Sequence, residues 1–145
     1  LFEQINVNLK EVLSTNLVFV RSPTLEEFDL DWNDAAGECW KIHEILLSVV
    51  CPEFIIAYGS EANEYIKKKM LISREENFEV VSLNESKHFS VTQGVIEINQ
   101  KRIKVKLLST PHLSRYKIDA KGKEYGDAYD VRPALEWIKK ELLNT

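Results

Sequence analysis

Apolar residues recur along this chain at two spacings, and the spacing changes from one segment to the next. Leu1, Ile5 and Leu9 fall on one face of a helix. The β-branched apolar run within Val12 to Val20 then reads as a strand, stopped by Ser22, Pro23 and Thr24. From about Asp34 to Val50, Cys39, Trp40, His43, Leu46, Leu47 and Val50 return at helical spacing. Asp34 is placed to cap that helix, and Pro52 bars its continuation. Phe54 to Tyr58 reads as a short buried strand closed by Gly59. Ser60 is expected to cap the next helix, with Ala62, Tyr65, Ile66 and Met70 facing inward. Lys67 to Lys69 lie towards its C-terminal end, where the macrodipole favours cations.

Residues 71–92 are polar and read as irregular, apart from a short strand near Val80 and Val81. Val95 to Ile98 and Ile103 to Leu108 alternate across Asn99-Gln100-Lys101 and predict a β-hairpin. Asp130 caps a final helix with Pro133 in its first turn and Leu135, Ile138 and Leu142 inward. The order strand, helix, strand, helix, hairpin, helix predicts an α/β fold, a mostly parallel sheet flanked by helices with the hairpin before its last strand. Sites in such sheets lie beyond the carboxyl ends of the strands. Three segments follow the main strands: Asn16 to Ser22, Gly59-Ser60, and Ser109 to Tyr116.

Composition narrows the class without naming a function. A length of 145 residues with 44% hydrophobic and 29% charged residues suits one globular domain. No apolar run approaches the roughly 20 residues that cross a bilayer, and no signal segment opens the chain, so a cytoplasmic protein without membrane partners is expected. Cys39 and Cys51 are too few for a disulfide framework, show no zinc spacing, and read as buried free thiols. No ligand spacing stands out in the acidic stretch Glu26, Glu27, Asp29, Asp31, Asp34 and Glu38, so no metal is expected. A net charge of −4 argues against bulk electrostatic binding of DNA. The segment with Lys101, Arg102, Lys104, Lys106, Arg115, Lys117, Lys121 and Lys123 nevertheless faces either phosphates or solvent.

Three stretches resemble one known family in order and spacing. Thr15-Asn16-Leu17-Val18-Phe19-Val20-Arg21-Ser22 resembles the second strand and following loop of uracil-DNA-glycosylase-like proteins. Cys39-Trp40-Lys41-Ile42-His43 and Pro52 to Ala62, with Gly59-Ser60-Glu61 near its end, resemble their helix, third strand and next helix. Leu107-Leu108-Ser109-Thr110-Pro111-His112-Leu113-Ser114-Arg115-Tyr116 resembles their last strand and DNA-inserting loop. The resemblance implies a three-layer α/β/α fold and DNA carrying a flipped base as partner. The reaction it implies is hydrolysis of the bond between that base and its sugar, which requires no metal or organic cofactor.

The resemblance also assigns residues. Asn16 matches the base-reading asparagine, whose amide offers a donor and an acceptor to an imide edge. The alternative for Asn16 is a turn-forming residue at a strand end. His112 is the candidate donor to the departing base. When the loop is aligned on its Leu-Ser pair, Ser109 falls at the usual histidine position, so His112 and Ser109 are both catalytic candidates, and His112 reads equally as a DNA contact or a plain surface-loop histidine. Leu113 matches the apolar wedge that replaces a flipped base. Ser114 and Arg115 match phosphate contacts, with Ser60 at a helix start as another and Arg21 and Ser22 lining the same cleft. Ser60 reads equally well as a simple cap. His43 lies on an apolar helix face and reads as a core histidine, and His88 carries no assignment.

The family's first strand, and the loop that supplies its water-activating residue, have no match. The expectation is therefore one domain over residues 1–145, truncated at its N-terminus. Three functions compete: a glycosylase for uracil or another damaged base, a non-enzymatic relative that binds nucleic acid, and a protein-interaction module that keeps only the fold. The last predicts an exposed apolar patch and no affinity for DNA.

Overall fold

The first helix is started by Asp31, whose carboxylate accepts the backbone N–H of Asp34 at 3.0 Å. Asp34, the expected cap, is thus the capped residue. Helix α1 runs Trp32–Val50 and ends at Cys51, a left-handed residue with φ 47° whose N–H bonds the Leu47 carbonyl at 2.9 Å. That closure satisfies a terminal carbonyl, and Pro52 follows it. The computed structural model describes residues 12–19, 31–81, 86–111 and 132–143. Residues 1–11, 130 and 131, and with them the expected first helix and the Asp130 cap, lie outside that set. So do the side chains of Leu135 and Leu142.

After α1 come β1 (Phe54–Tyr58), α2 (Ser60–Lys68), β2 (Met70–Val81), β3 (Ser86–Ile98), β4 (Lys101–Thr110) and α3 (Arg132–Leu143). Among the described residues the sheet has four strands in the order β1-β4-β3-β2. β1 pairs β4 in parallel, whereas β4 with β3 and β3 with β2 are antiparallel. The expected mostly parallel three-layer α/β/α sheet is therefore corrected to a mixed one. Two segments account for the difference. The apolar run at 12–19 carries no strand, although Leu17 and Val18 pack on the core. The polar stretch 71–92 supplies most of β2 and the first half of β3.

Turn chemistry favours this meander. Asn99 and Gln100 both have positive φ, 48° and 68°, the geometry that lets two residues join twisted antiparallel strands. Further back along β3, Gly94 lies so close to β2 that an added Cβ would sit 2.6 Å from the Leu71 carbonyl oxygen. The β2–β3 register shifts beside it, between Ile72 and Arg74, which is the local cost of fitting a bulge into the pair.

Alternation along β3 and β4 divides two cores. One face carries Ile96, Ile98, Ile103, Val105 and Leu107 against Ala36 and Trp40 of α1 and Tyr65 and Ile66 of α2. The opposite face carries Phe89, Val91 and Leu108 against Ala134 and Ile138 of α3. Leu107 and Leu108, adjacent in sequence and both fully buried, belong to different cores, as a period of two requires. β1 is less covered than its apolar sequence suggests: of its five residues only Ala57 is buried.

Candidate functional site

The carboxyl ends of β1 and β4 are stitched together. Register sets Ala57 beside Ser109 and Tyr58 beside Thr110. The chain then turns at Gly59, whose φ of 90° suits glycine. The Gly59 N–H bonds the Thr110 carbonyl at 3.1 Å, and the Thr110 hydroxyl lies 3.4 Å from the Ala57 carbonyl. Gly59-Ser60 and Ser109-Thr110-Pro111 consequently leave the sheet side by side.

Gly59, not Ser60, occupies the cap position of α2, and no side chain bonds the first-turn amides. The exposed Ser60 hydroxyl instead donates to the Glu61 carboxylate at 3.0 Å. Those amides suit an acceptor, while Glu61, acidic in the first turn, already complements part of the helix dipole. Ser109 is only 7% exposed, and register with Ala57 and Ser90 puts it on the face beneath α1 and α2. Its Oγ has no hydrogen-bond partner among the described residues, nor do Oγ1 of Thr92 and Oδ1 of Asn63.

Thr92 pairs with Leu107, two residues before Ser109, so the two hydroxyls occupy one face of neighbouring strands. Asn63 stands in the first turn of α2, its N–H on the Gly59 carbonyl at 3.3 Å. Sequence reading passed over both residues. Asn63 was legible as a polar residue three before the inward Ile66, whereas nothing in the polar run around Thr92 announced burial. Burial also raises the Tyr58 hydroxyl pKa above 10.0.

Asn16 is exposed, in a segment without regular structure. The next residue is fixed from behind: the Leu17 carbonyl accepts from His43 Nε2 at 3.0 Å. Phe19 stacks on the same ring with centroids 5.2 Å apart, and Trp40 lies at 5.9 Å. His43 is therefore an anchor between α1 and that segment. Arg21, Ser22, His112, Leu113, Ser114 and Arg115 lie outside the described residues.

Of the four basic-segment residues that are described, three are engaged by the protein. Lys101 Nζ donates to the Ser48 carbonyl at 2.8 Å, and Arg102 pairs with Glu97 at 3.1 Å. Lys106 donates to the Glu141 carbonyl at 2.9 Å and lies 5.9 Å from the Phe54 ring centre. Lys104 is exposed. Among the described residues no group of three His, Cys, Asp or Glu side chains could hold a metal ion, and no helix is long and apolar enough to cross a membrane. No family model, curated protein or solved structure matches the chain.

Proposed function

We propose that the chain acts on DNA at the carboxyl ends of β1 and β4, hydrolysing the N-glycosidic bond of uracil or another damaged base flipped from the stack. The observation that carries this reading is the Gly59–Thr110 hydrogen bond. It fastens together two of the three segments that the sequence resemblance assigns to one site. The sheet is not the family's, so the reading rests on these segments and not on fold analogy.

In this reading Asn16 reads the base edge, and His112, with Ser109 as the alternative, donates to the oxygen of the departing base. Leu113 fills the gap in the stack, while Ser114, Arg115 and Ser60 hold phosphates, with Arg21 and Ser22 beside them. No metal or organic cofactor takes part.

The test is base release from uracil-containing oligonucleotides. Release is expected, lost in Asn16→Ala and lowered about 100-fold or more in His112→Ala, the scale of general acid catalysis. No release across several damaged bases sinks the glycosylase reading.

A second reading, a catalytically silent relative serving as a protein-interaction module, has its own observation. Ile42, Ile45 and Val49 are 48%, 63% and 77% exposed and share one face of α1 at helical spacing. That reading predicts neither base release nor binding of oligonucleotides.

A further inference from the structure

We propose that Cys51 and Lys101 form a peroxide-driven covalent cross-link, a modification site at the C-terminal end of α1. The expectation of a buried thiol there is overturned: Cys51 is exposed. Lys101 Nζ lies 2.7 Å from Cys51 Sγ. Two features fix that approach. Cys51 is held in its left-handed conformation by the Leu47 carbonyl. Lys101 emerges directly from the Asn99-Gln100 turn and is anchored by the Ser48 carbonyl. Nitrogen and sulfur are therefore presented to each other before any reaction, which removes most of the entropy of bringing them together.

The chemistry balances with one equivalent of hydrogen peroxide. The thiol sulfur attacks a peroxide oxygen, giving a sulfenic acid and releasing water; sulfur is oxidised by two electrons and the O–O bond is reduced. The Lys101 ammonium then gives up a proton to solvent, and its nitrogen attacks the sulfur. An S–N bond forms, the S–O bond breaks, and the departing hydroxide leaves as a second water with the remaining proton. Sulfenic acids condense with thiols or with amide nitrogen in the same manner. The product is a sulfenamide lacking two hydrogens relative to the reduced chain, and a thiol reductant reverses it. It ties the end of α1 to the β3–β4 hairpin.

Cys39 offers no intramolecular competition, since it lies about 18 Å from Cys51 along the helix axis. A disulfide requires the two Cα atoms within roughly 7 Å of each other.

The experiment treats the full chain, in a Cys39→Ser background, with hydrogen peroxide and follows it by intact mass and peptide mapping without reductant. Expected is a mass lower by two hydrogens and a peptide joining Cys51 to Lys101, both abolished by dithiothreitol. In Lys101→Arg, which keeps a donor for the Ser48 carbonyl, Cys51 should pass on to sulfinic acid. Two outcomes overturn the proposal: oxidation of Cys51 that is identical in the Lys101→Arg variant and in the chain that keeps Lys101, or sulfinic acid at Cys51 beside an unmodified Lys101 in the latter.

Discussion

Oγ1 of Thr92 is fully buried on the α1–α2 face of the sheet and has no hydrogen-bond partner among the described residues. An unpaired buried hydroxyl costs about 1–3 kcal/mol relative to one left in water. Thr92→Val keeps the shape and removes the hydroxyl, so it should stabilise the protein by about 1 kcal/mol, read as a higher urea midpoint at unchanged slope. Tyr58 makes a prediction in pH. Burial raises its folded pKa above 10.0, so its contribution is fully present below 10.0 and is lost as pH rises through the folded value. Tyr58→Phe should flatten that alkaline loss in denaturant titrations on either side of pH 10. Residues of this kind were only partly readable. Gly59 and Ser109 stood out because they follow apolar runs, and the structure sets their segments side by side. The exposure of Cys51 did not, because its apolar sequence neighbours suggest burial, whereas it stands past the helix end in a left-handed conformation.

At the scale of elements, helices were more legible than strands. α1, α2 and α3 bury apolar stripes at a spacing that their sequences carry openly. Among the described residues β2 is an edge strand, bearing Arg74, Glu75, Glu76 and Glu79, and such charges hide a strand from pattern reading while discouraging edge-to-edge association. Val12 to Val20 misled in the opposite sense, since a short apolar run does not reveal whether it pairs. The turn between β3 and β4 gives the sharpest test. Gln100 holds φ 68° with a side chain attached, so Gln100→Gly should raise stability by about 1 kcal/mol. The same change at Lys104, an exposed strand position, should lower it, and thermal melts of the two variants distinguish turn relief from general loosening.

Across the whole molecule, the central sheet keeps two apolar cores apart. Leu107→Ala and Leu108→Ala should each cost about 3 kcal/mol, within the usual range for buried leucine. Their local effects should separate. Hydrogen exchange is expected to speed first in α1 and α2 for Leu107→Ala, and first in α3 for Leu108→Ala, because each leucine packs on a different core. The parallel pairing of β1 with β4 has a kinetic consequence. The β2–β3 and β3–β4 ladders begin from nearby partners such as Val81 with Ser86 and Ile98 with Lys101, whereas Phe54 must find Lys106 across α2 and the entire meander. Closing that long loop costs chain entropy before its contacts return any stabilisation. The rate-limiting barrier should therefore be crossed with the meander formed and β1 still free. Ala57→Gly should speed unfolding and leave the refolding rate nearly unchanged, whereas Ile103→Val should slow refolding; a chevron plot of each variant decides between this order and one in which β1 joins early.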